Sequence, residues 1–496
     1  MPVRPVSTPS ARAPMAALAL LLTLFTAPAS SQWNVAVGGD AGRTGASDQI
    51  GPTGADLRWD DSLPAIVSQQ AAIDGDLVVM ARIGSFTIPT GTWIVAHELD
   101  DGAIRWQTQL PFNFADSWRS RVSGARDGVV YATRAGNTNA DYLYALDAAN
   151  GSILWESVDK ITETSTESVT YAPDGDPITT GVTAGGATVL HRIEASDGTT
   201  VWSAPRSCPT SGGCDAVVNA AANRVYMFEA NASGPKITAV DLTTGAPLYS
   251  TPGIGGGFIQ QVAPFLGPDG TVYAPRTQNN PFTDFLVAYD DTGAAFVERW
   301  SVPMGYAPFA SHAIGPDGSV YGYTPDLEIM RLDPATGALL DTSEPVPHDS
   351  FQPRMAVDAS GKLYLTNGSF PGGEMFVYTP DLRLIWSTPI TNVNVGGPAI
   401  SGDGTLIVAG VGTDVRAYQS DCAGYVVEYG EACVGSGGFV PSLGADGCPT
   451  EGGAITVTIA DALGGKCLCR TPLTADVLLA EIEGRPPAYG PLDLHV

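Results

Sequence analysis

The sequence predicts an all-β chain made of about eight copies of one four-stranded unit, closed into a ring by a strand from its own N-terminus. Three observations predict it: a turn-and-strand motif that recurs along the chain, an aromatic position that recurs in step with it, and a composition rich in turn-formers. Of 496 residues 58 are Gly and 38 are Pro, and apolar residues make up 44% against 16% charged. Such a chain reads as short strands joined by tight turns. No stretch sustains the i, i+3, i+4, i+7 spacing of an amphipathic helix.

The repeat is sharpest at Asp127-Gly128-Val129-Val130-Tyr131-Ala132, followed by Leu143-Tyr144-Ala145-Leu146-Asp147, Asn150-Gly151 and Trp155. A second copy runs Asp269-Gly270-Thr271-Val272-Tyr273-Ala274, Val287-Ala288-Tyr289-Asp290, Thr292-Gly293 and Trp300. Strand-start turns fall at Gly75, Gly128, Gly175, Arg224, Gly270, Gly318, Gly361 and Gly404, spaced 43 to 53 residues apart. The aromatic ruler gives Trp59, Trp106, Trp155, Trp202, Tyr249, Trp300, Asp341 and Trp386, spaced 41 to 51 apart. Both spacings suit one four-stranded propeller blade.

Each residue type has a physical task. Gly after Asp permits the positive φ of a tight hairpin. The alternation in Val-Tyr-Ala and Leu-Tyr-Ala-Leu gives each sheet apolar faces to pack on its neighbours. Trp supplies a large apolar plate with an N–H for a backbone carbonyl. Gly404 is followed by two strand patterns but no Trp strand, whereas Leu57-Arg58-Trp59 precedes any Asp-Gly turn. Joining these halves completes one blade and removes the open edges of the ring. The count is then eight, with seven as the alternative because three repeats are degraded: Pro177 precedes Ile178, Tyr249 replaces Trp, and Asp341 replaces Trp.

The pattern Ala145, Asp147, Gly151, Trp155 resembles the tryptophan-docking motif of propellers with pyrroloquinoline-quinone (PQQ) type repeats, and Asp241, Gly245, Tyr249 and Asp100, Gly102, Trp106 are weaker copies. The opening from Trp33 through Gly38-Gly39-Asp40-Ala41-Gly42-Arg43-Thr44-Gly45 is similar to a segment that often precedes such propellers in exported proteins. The resemblance spans residues 33 to about 420. It implies either a quinoprotein dehydrogenase or a non-enzymatic relative, such as the propeller subunit of the outer-membrane barrel assembly machinery. A WD-repeat reading fails, since Trp59-Asp60 is isolated.

Residues 1–31 read as a cleavable signal peptide: Arg4 and Arg12, an apolar run from Met15 to Phe25, then small residues with cleavage expected after Ala29 or Ser31. No Cys follows to make a lipid anchor, and no later run reaches the ~18 apolar residues of a membrane helix. The propeller is assigned to residues 32–420 and a Cys/Gly-rich β module to 421–496. Seven cysteines (Cys208, Cys214, Cys422, Cys433, Cys448, Cys467, Cys469) are disulfide candidates in an oxidising compartment. A zinc site at Cys467 and Cys469 is disfavoured, because no second close Cys pair stands opposite. The module reads as an adhesion domain, a sorting signal or a cap. A formal charge of −27 argues against nucleic acid and anionic lipid as partners.

For quinone chemistry the resemblance implies an adjacent Cys pair, a stacking Trp, and an Asp base beside calcium held by Glu and Asn. The chain has no adjacent Cys pair and no C-x-x-C-H haem motif. H-E-x-x-H and G-x-S-x-G motifs are also missing, and Gly-Pro-Asp-Gly at 267–270 and 315–318 reads as turn chemistry. The sequence therefore leans away from an enzyme and expects no cofactor, with PQQ and calcium as the alternative. Binding is expected at a mouth formed by the connections into each innermost strand. Its candidates are Phe112, Phe114, Trp118, Arg119 and Arg121; Gln260 and Gln261; Tyr306, Phe309 and His312; and His348, Phe351 and Arg354. Aromatics with Arg in exposed loops make a recognition surface; the alternative is that they plug the channel. The reading is a secreted or periplasmic, monomeric binding or scaffolding propeller whose partner is a protein or an extracellular polymer. A PQQ- and calcium-dependent alcohol or sugar dehydrogenase is the first alternative, and a carbohydrate-binding or adhesion protein the second.

Overall fold

The computed structural model describes residues 33–420, except segments 62–65, 68–69, 84–91, 112–119, 135–140, 163–168, 208–215, 230–235, 253–262, 280–281, 307–309, 349–352, 370–371, 391–395 and 410–414. Beyond 420 it describes the backbone of short strands only. The Asp-Gly turns and alternating strands assemble into eight antiparallel sheets, each the blade of one propeller. The count of eight holds, and the degraded repeats form blades as well. Pro177 is tolerated because it is the first residue of its strand, Pro177–Val182, where it is opposed by Tyr171.

Seven blades take their strands consecutively from the chain, in the order inner to outer. Blade 2 is typical: Arg121–Arg126, Val129–Thr133, Leu143–Asp147 and Ile153–Glu156. Blade 8 takes Pro398–Ile400, Leu406–Ala409 and Val415–Tyr418 from the end of the repeat region, and Leu57–Asp61 from its start. Leu57 is opposed by Tyr418 and Asp61 by Val415, so the ring is closed by main-chain pairing between residues over 350 positions apart.

The outer strand of every blade carries a β-bulge at one place, immediately before the aromatic-ruler position, as at Leu57/Trp59 and Ile153/Trp155. One extra residue re-aims the next side chain, here turning the indole into the joint between blades. Trp59, Trp106, Trp155, Trp202 and Trp300 each reach the following blade and donate Nε1–H to a turn carbonyl. The acceptors are Leu99 (2.8 Å), Ala148 (2.7 Å), Ala195 (3.0 Å), Leu242 (3.0 Å) and Pro334 (2.9 Å). The rings lie on the glycines of those turns. A Cβ added to Gly151 would sit 2.4 Å from the Trp106 ring. The bulged residue itself points outward. Where it is Arg58, Arg105 or Arg299 it pairs with an aspartate of its blade's inner hairpin turn: Asp403 (2.8 Å), Asp76 (2.7 Å) and Asp269 (3.2 Å).

The N-terminal segment passes through the middle of the ring. Trp33 is buried, and its carbonyl accepts the Ile73 N–H of blade 1 at 2.8 Å. Asn34 O takes Ala125 N of blade 2, and Ala41 O takes both the Thr170 hydroxyl of blade 3 and Val218 N of blade 4. Gly42 O takes Leu266 N of blade 5, Thr44 O takes Ile314 N of blade 6, and Gly45 O takes Val357 N of blade 7. Arg43 is buried with it, donating Nε–H to Ala216 O at 2.8 Å and Nη1–H to Val37 O at 2.9 Å. The segment leaves beside blade 7, where the Asp358 carboxylate accepts Gly51 N–H at 2.9 Å and pairs with Lys362 at 2.7 Å.

Gly151 and Gly128 both have positive φ (71° and 80°), but only Gly151 lies under an indole, while an added Cβ at Gly128 meets nothing within 4 Å. Ala at either position carries the backbone strain, and only Gly151→Ala adds the clash. Gly151→Ala is therefore expected to cost about 1–3 kcal/mol more than Gly128→Ala. Urea unfolding of the two variants measures this; equal costs would mean that the indole seat is not a constraint.

Candidate functional site

Inner strands of a ring all run the same way, so the topology fixes which connections share an end. Turns between first and second strands, and between third and fourth, come out at one end. Connections between second and third strands, and from one blade into the next, come out at the other. The N-terminal segment bonds to the far ends of the inner strands, on the side of the short turns. The candidate site is therefore the opposite end, left open by that segment, where the described mouth residues Arg121, Tyr306, His312, His348 and Arg354 lie.

Of the other mouth residues predicted from the sequence, Phe112, Phe114, Trp118, Arg119, Gln260, Gln261, Phe309 and Phe351 lie outside the described residues, as do the seven cysteines. Tyr306 is 51% exposed, on the connection from blade 5 into blade 6. His348 is exposed as well, with Nδ1 2.7 Å from Val346 O. Arg121 and Arg354 are buried at the first positions of the inner strands of blades 2 and 7. Arg354 packs with Gln70 against Gly397, tying the inner strands of blades 7, 1 and 8 together. His312, just before the inner strand of blade 6, is buried and stacks on Phe265 with ring centroids 5.0 Å apart. Arg121, His312 and Arg354 are thus packed parts of the rim rather than exposed loop residues.

Three further arginines at this end were not singled out from sequence: Arg82, Arg134 and Arg206, all buried. Each bridges neighbouring blades. Arg82 of blade 1 pairs with Asp61 of blade 8 at 2.7 Å, Arg134 of blade 2 donates to Pro111 O of blade 1 at 3.1 Å, and Arg206 of blade 3 donates to Phe228 O of blade 4 at 3.1 Å. A guanidinium offers five donors in a fixed fork and stays charged when buried. It therefore suits a site where one side chain must satisfy carbonyls from two sheets. The available signal was an Arg closing or directly following a strand pattern, as in Ala81-Arg82 and Thr133-Arg134.

A family model described as outer membrane protein assembly factor BamB matches residues 90–343, just over half of the chain. The chain belongs to this family of PQQ-repeat propellers. Its fold recurs in many solved structures. BamB from Moraxella catarrhalis is 16% identical over 73% of this chain and 98% of that one, with a TM-score of 0.48. Quinohemoprotein alcohol dehydrogenase from Comamonas testosteroni is 13% identical over 81% and 83%, with a TM-score of 0.54. A europium-containing methanol dehydrogenase is 14% identical over 77% and 90%, with a TM-score of 0.53. Identities this low show a shared fold and do not transfer an activity. No curated protein matches the sequence.

Burial holds the His312 imidazole down to about 4, against an ordinary value of 6.5. The folded chain therefore favours the neutral ring. Its contribution is complete above pH 6.5 and is lost as pH falls from 6.5 toward 4, about 3 kcal/mol in all. Burial shifts His97 and His191 in the same direction. Denaturant unfolding between pH 7.5 and 4.5 is expected to show a shallower loss for His312→Phe than for the unaltered chain; parallel curves would remove His312 as a cause.

Proposed function

We propose that this PQQ-repeat propeller is a non-catalytic binding or scaffolding protein of the bacterial envelope or exterior that holds a protein partner at its open end. The observation that carries the reading is the difference between the two ends. One is closed by short turns and by the N-terminal segment bonded to seven blades. At the other the connections are free to differ in length and composition, and their bases are fixed by buried arginines. A rigid ring carrying varied connections is the arrangement in which binding surfaces commonly arise. Membership of an assembly-factor family supports the same reading. Export is part of the proposal and rests on the charged, apolar and small-residue regions of residues 1–31.

No three His, Cys, Asp or Glu among the described residues come together to hold a cation, and the rim of the inner strands carries Arg121, His312 and Arg354. The chain also has no adjacent cysteines.

Titrating the purified protein with PQQ and calcium, while following quinone absorbance, thermal stability and dye-linked oxidation of alcohols and aldoses, is expected to give neither binding nor turnover. Tight one-to-one binding with turnover would replace this proposal by a dehydrogenase. In a companion test, a photo-crosslinking amino acid at Tyr306 is expected to capture protein adducts in producing cells, and the same group at Thr336 on a short turn is not. Equal capture at both would overturn the assignment to the open end.

A further inference from the structure

The joint between blades 4 and 5 departs from the indole-on-glycine pattern in two ways at once. Tyr249 stands where the other joints described above carry Trp, and the turn of blade 5 that would receive it has changed. In the turns that receive an indole, the glycine N–H bonds to the carbonyl four residues back: Gly102 to Glu98, Gly151 to Asp147, Gly198 to Glu194, Gly245 to Asp241 and Gly337 to Asp333. In blade 5 the hairpin instead closes by Thr292 N to Ala295 O at 3.0 Å. Gly293 keeps a positive φ of 80°, yet an added Cβ there meets nothing within 4 Å. The glycine at the position covered by an indole in the other turns is therefore uncovered in this altered turn.

Tyr249 does not fill the space. Its hydroxyl and that of Tyr226 (2.6 Å) both donate to the Asp291 carboxylate, which also accepts Gly293 N–H at 2.8 Å. Phe296 packs edge-on against both tyrosine rings. Beside them opens a cleft of about 600 Å³ between the inner hairpin turns of the two blades, with Ala221, Ala222 and Arg224 on one wall and Pro268, Gly270 and Gly293 on the other. A carboxylate has about four acceptor positions, so Asp291 retains one for a further donor.

We propose that this cleft is a second binding site, on the end away from the mouth, for a planar indole that stacks on the glycine peptide planes of blade 5 and donates its N–H. The chain itself shows this recognition at five joints, where an indole on glycine with a carbonyl acceptor joins two sheets. A tryptophan side chain of another polypeptide and a free indole compound offer the same chemistry. Phosphates and carboxylates are not expected here, since Asp269 and Asp291 line the cleft and its one lining arginine, Arg224, already faces Asp241 and the Tyr249 hydroxyl.

The test is ¹⁹F NMR of the full chain with 5-fluoroindole and with a blocked pentapeptide, Gly-Gly-(5-fluorotryptophan)-Gly-Gly. Saturable line broadening is expected with a Kd of about 1 mM or tighter. It should weaken at least tenfold in Ala222→Trp and in Ala221→Phe, whose larger side chains fill the cleft from the inner hairpin turn of blade 4. Thermal melting of each variant confirms folding. Binding of both probes identifies a tryptophan side chain as ligand, and binding of free indole alone identifies a small molecule. No broadening by either, unchanged binding in folded variants, or equal competition by the corresponding leucine pentapeptide would overturn the proposal. None of these outcomes bears on the open end, which is tested separately.

Discussion

The ring depends on the path of residues 33–61. A propeller of eight sheets must satisfy the backbone groups of eight inner strands that face a central channel, and it must stop the first and last blades from separating. One segment answers both demands. Its carbonyls meet the N–H groups of successive inner strands, and it then leaves to become the outer strand of blade 8. Unpaired buried backbone groups are costly, so the segment is needed for the inner strands as well as for the closure. It also makes the two ends of the channel different, because its bonds to the inner strands all lie on the side of the short turns.

Around that centre each joint repeats one solution, and the departures show which part of it is essential. An indole supplies area, a fixed plane and a single donor, so it can lie on a glycine and still satisfy a carbonyl. At the joint between blades 6 and 7 Asp341 replaces it, and Arg331 bridges Asp341 (2.9 Å) and Asp317 (2.6 Å). Between blades 7 and 8 Trp386 instead tilts against Tyr418, 5.7 Å between centroids. The bulge before this position persists in all eight blades whatever residue follows it. Backbone geometry is thus the invariant, and the side chain placed by the bulge can change if the neighbouring turn changes with it. Blade 5 is the case where both changed and space was left.

The parts of the fold legible in the sequence were those written in short patterns. Asp-Gly and Thr-Gly turns are local, and their spacing alone sets the blade count. The half-blade at each terminus was legible because Leu57-Arg58-Trp59 lacks the strands that the stretch after Gly404 has in excess. The route of residues 33–52 was not legible, because it is held mainly by backbone atoms, and backbone bonding leaves no residue signature. The bulge was hidden for a different reason: an insertion present in every repeat leaves the period unchanged. The inter-blade arginines escaped notice since a charged residue ending a strand reads as solvated, whereas Arg82 and Arg134 turn inward to partners more than 20 residues away.

The placement of cations brings these observations to one point. The chain carries 25 basic residues against 52 acidic ones, so each buried arginine is drawn from a small supply. Five of those described sit at the open end, and three of them, Arg82, Arg134 and Arg206, meet Asp61 or a carbonyl of an adjoining blade. At the other end Arg43 is buried with the N-terminal segment, whereas Arg58, Arg105 and Arg299 are partly exposed partners of hairpin aspartates, an arrangement worth little and screened by salt. Burying a guanidinium is costly unless its donors are used, and Arg82, Arg134 and Arg206 use theirs across two sheets, which ties neighbouring blades together at that end.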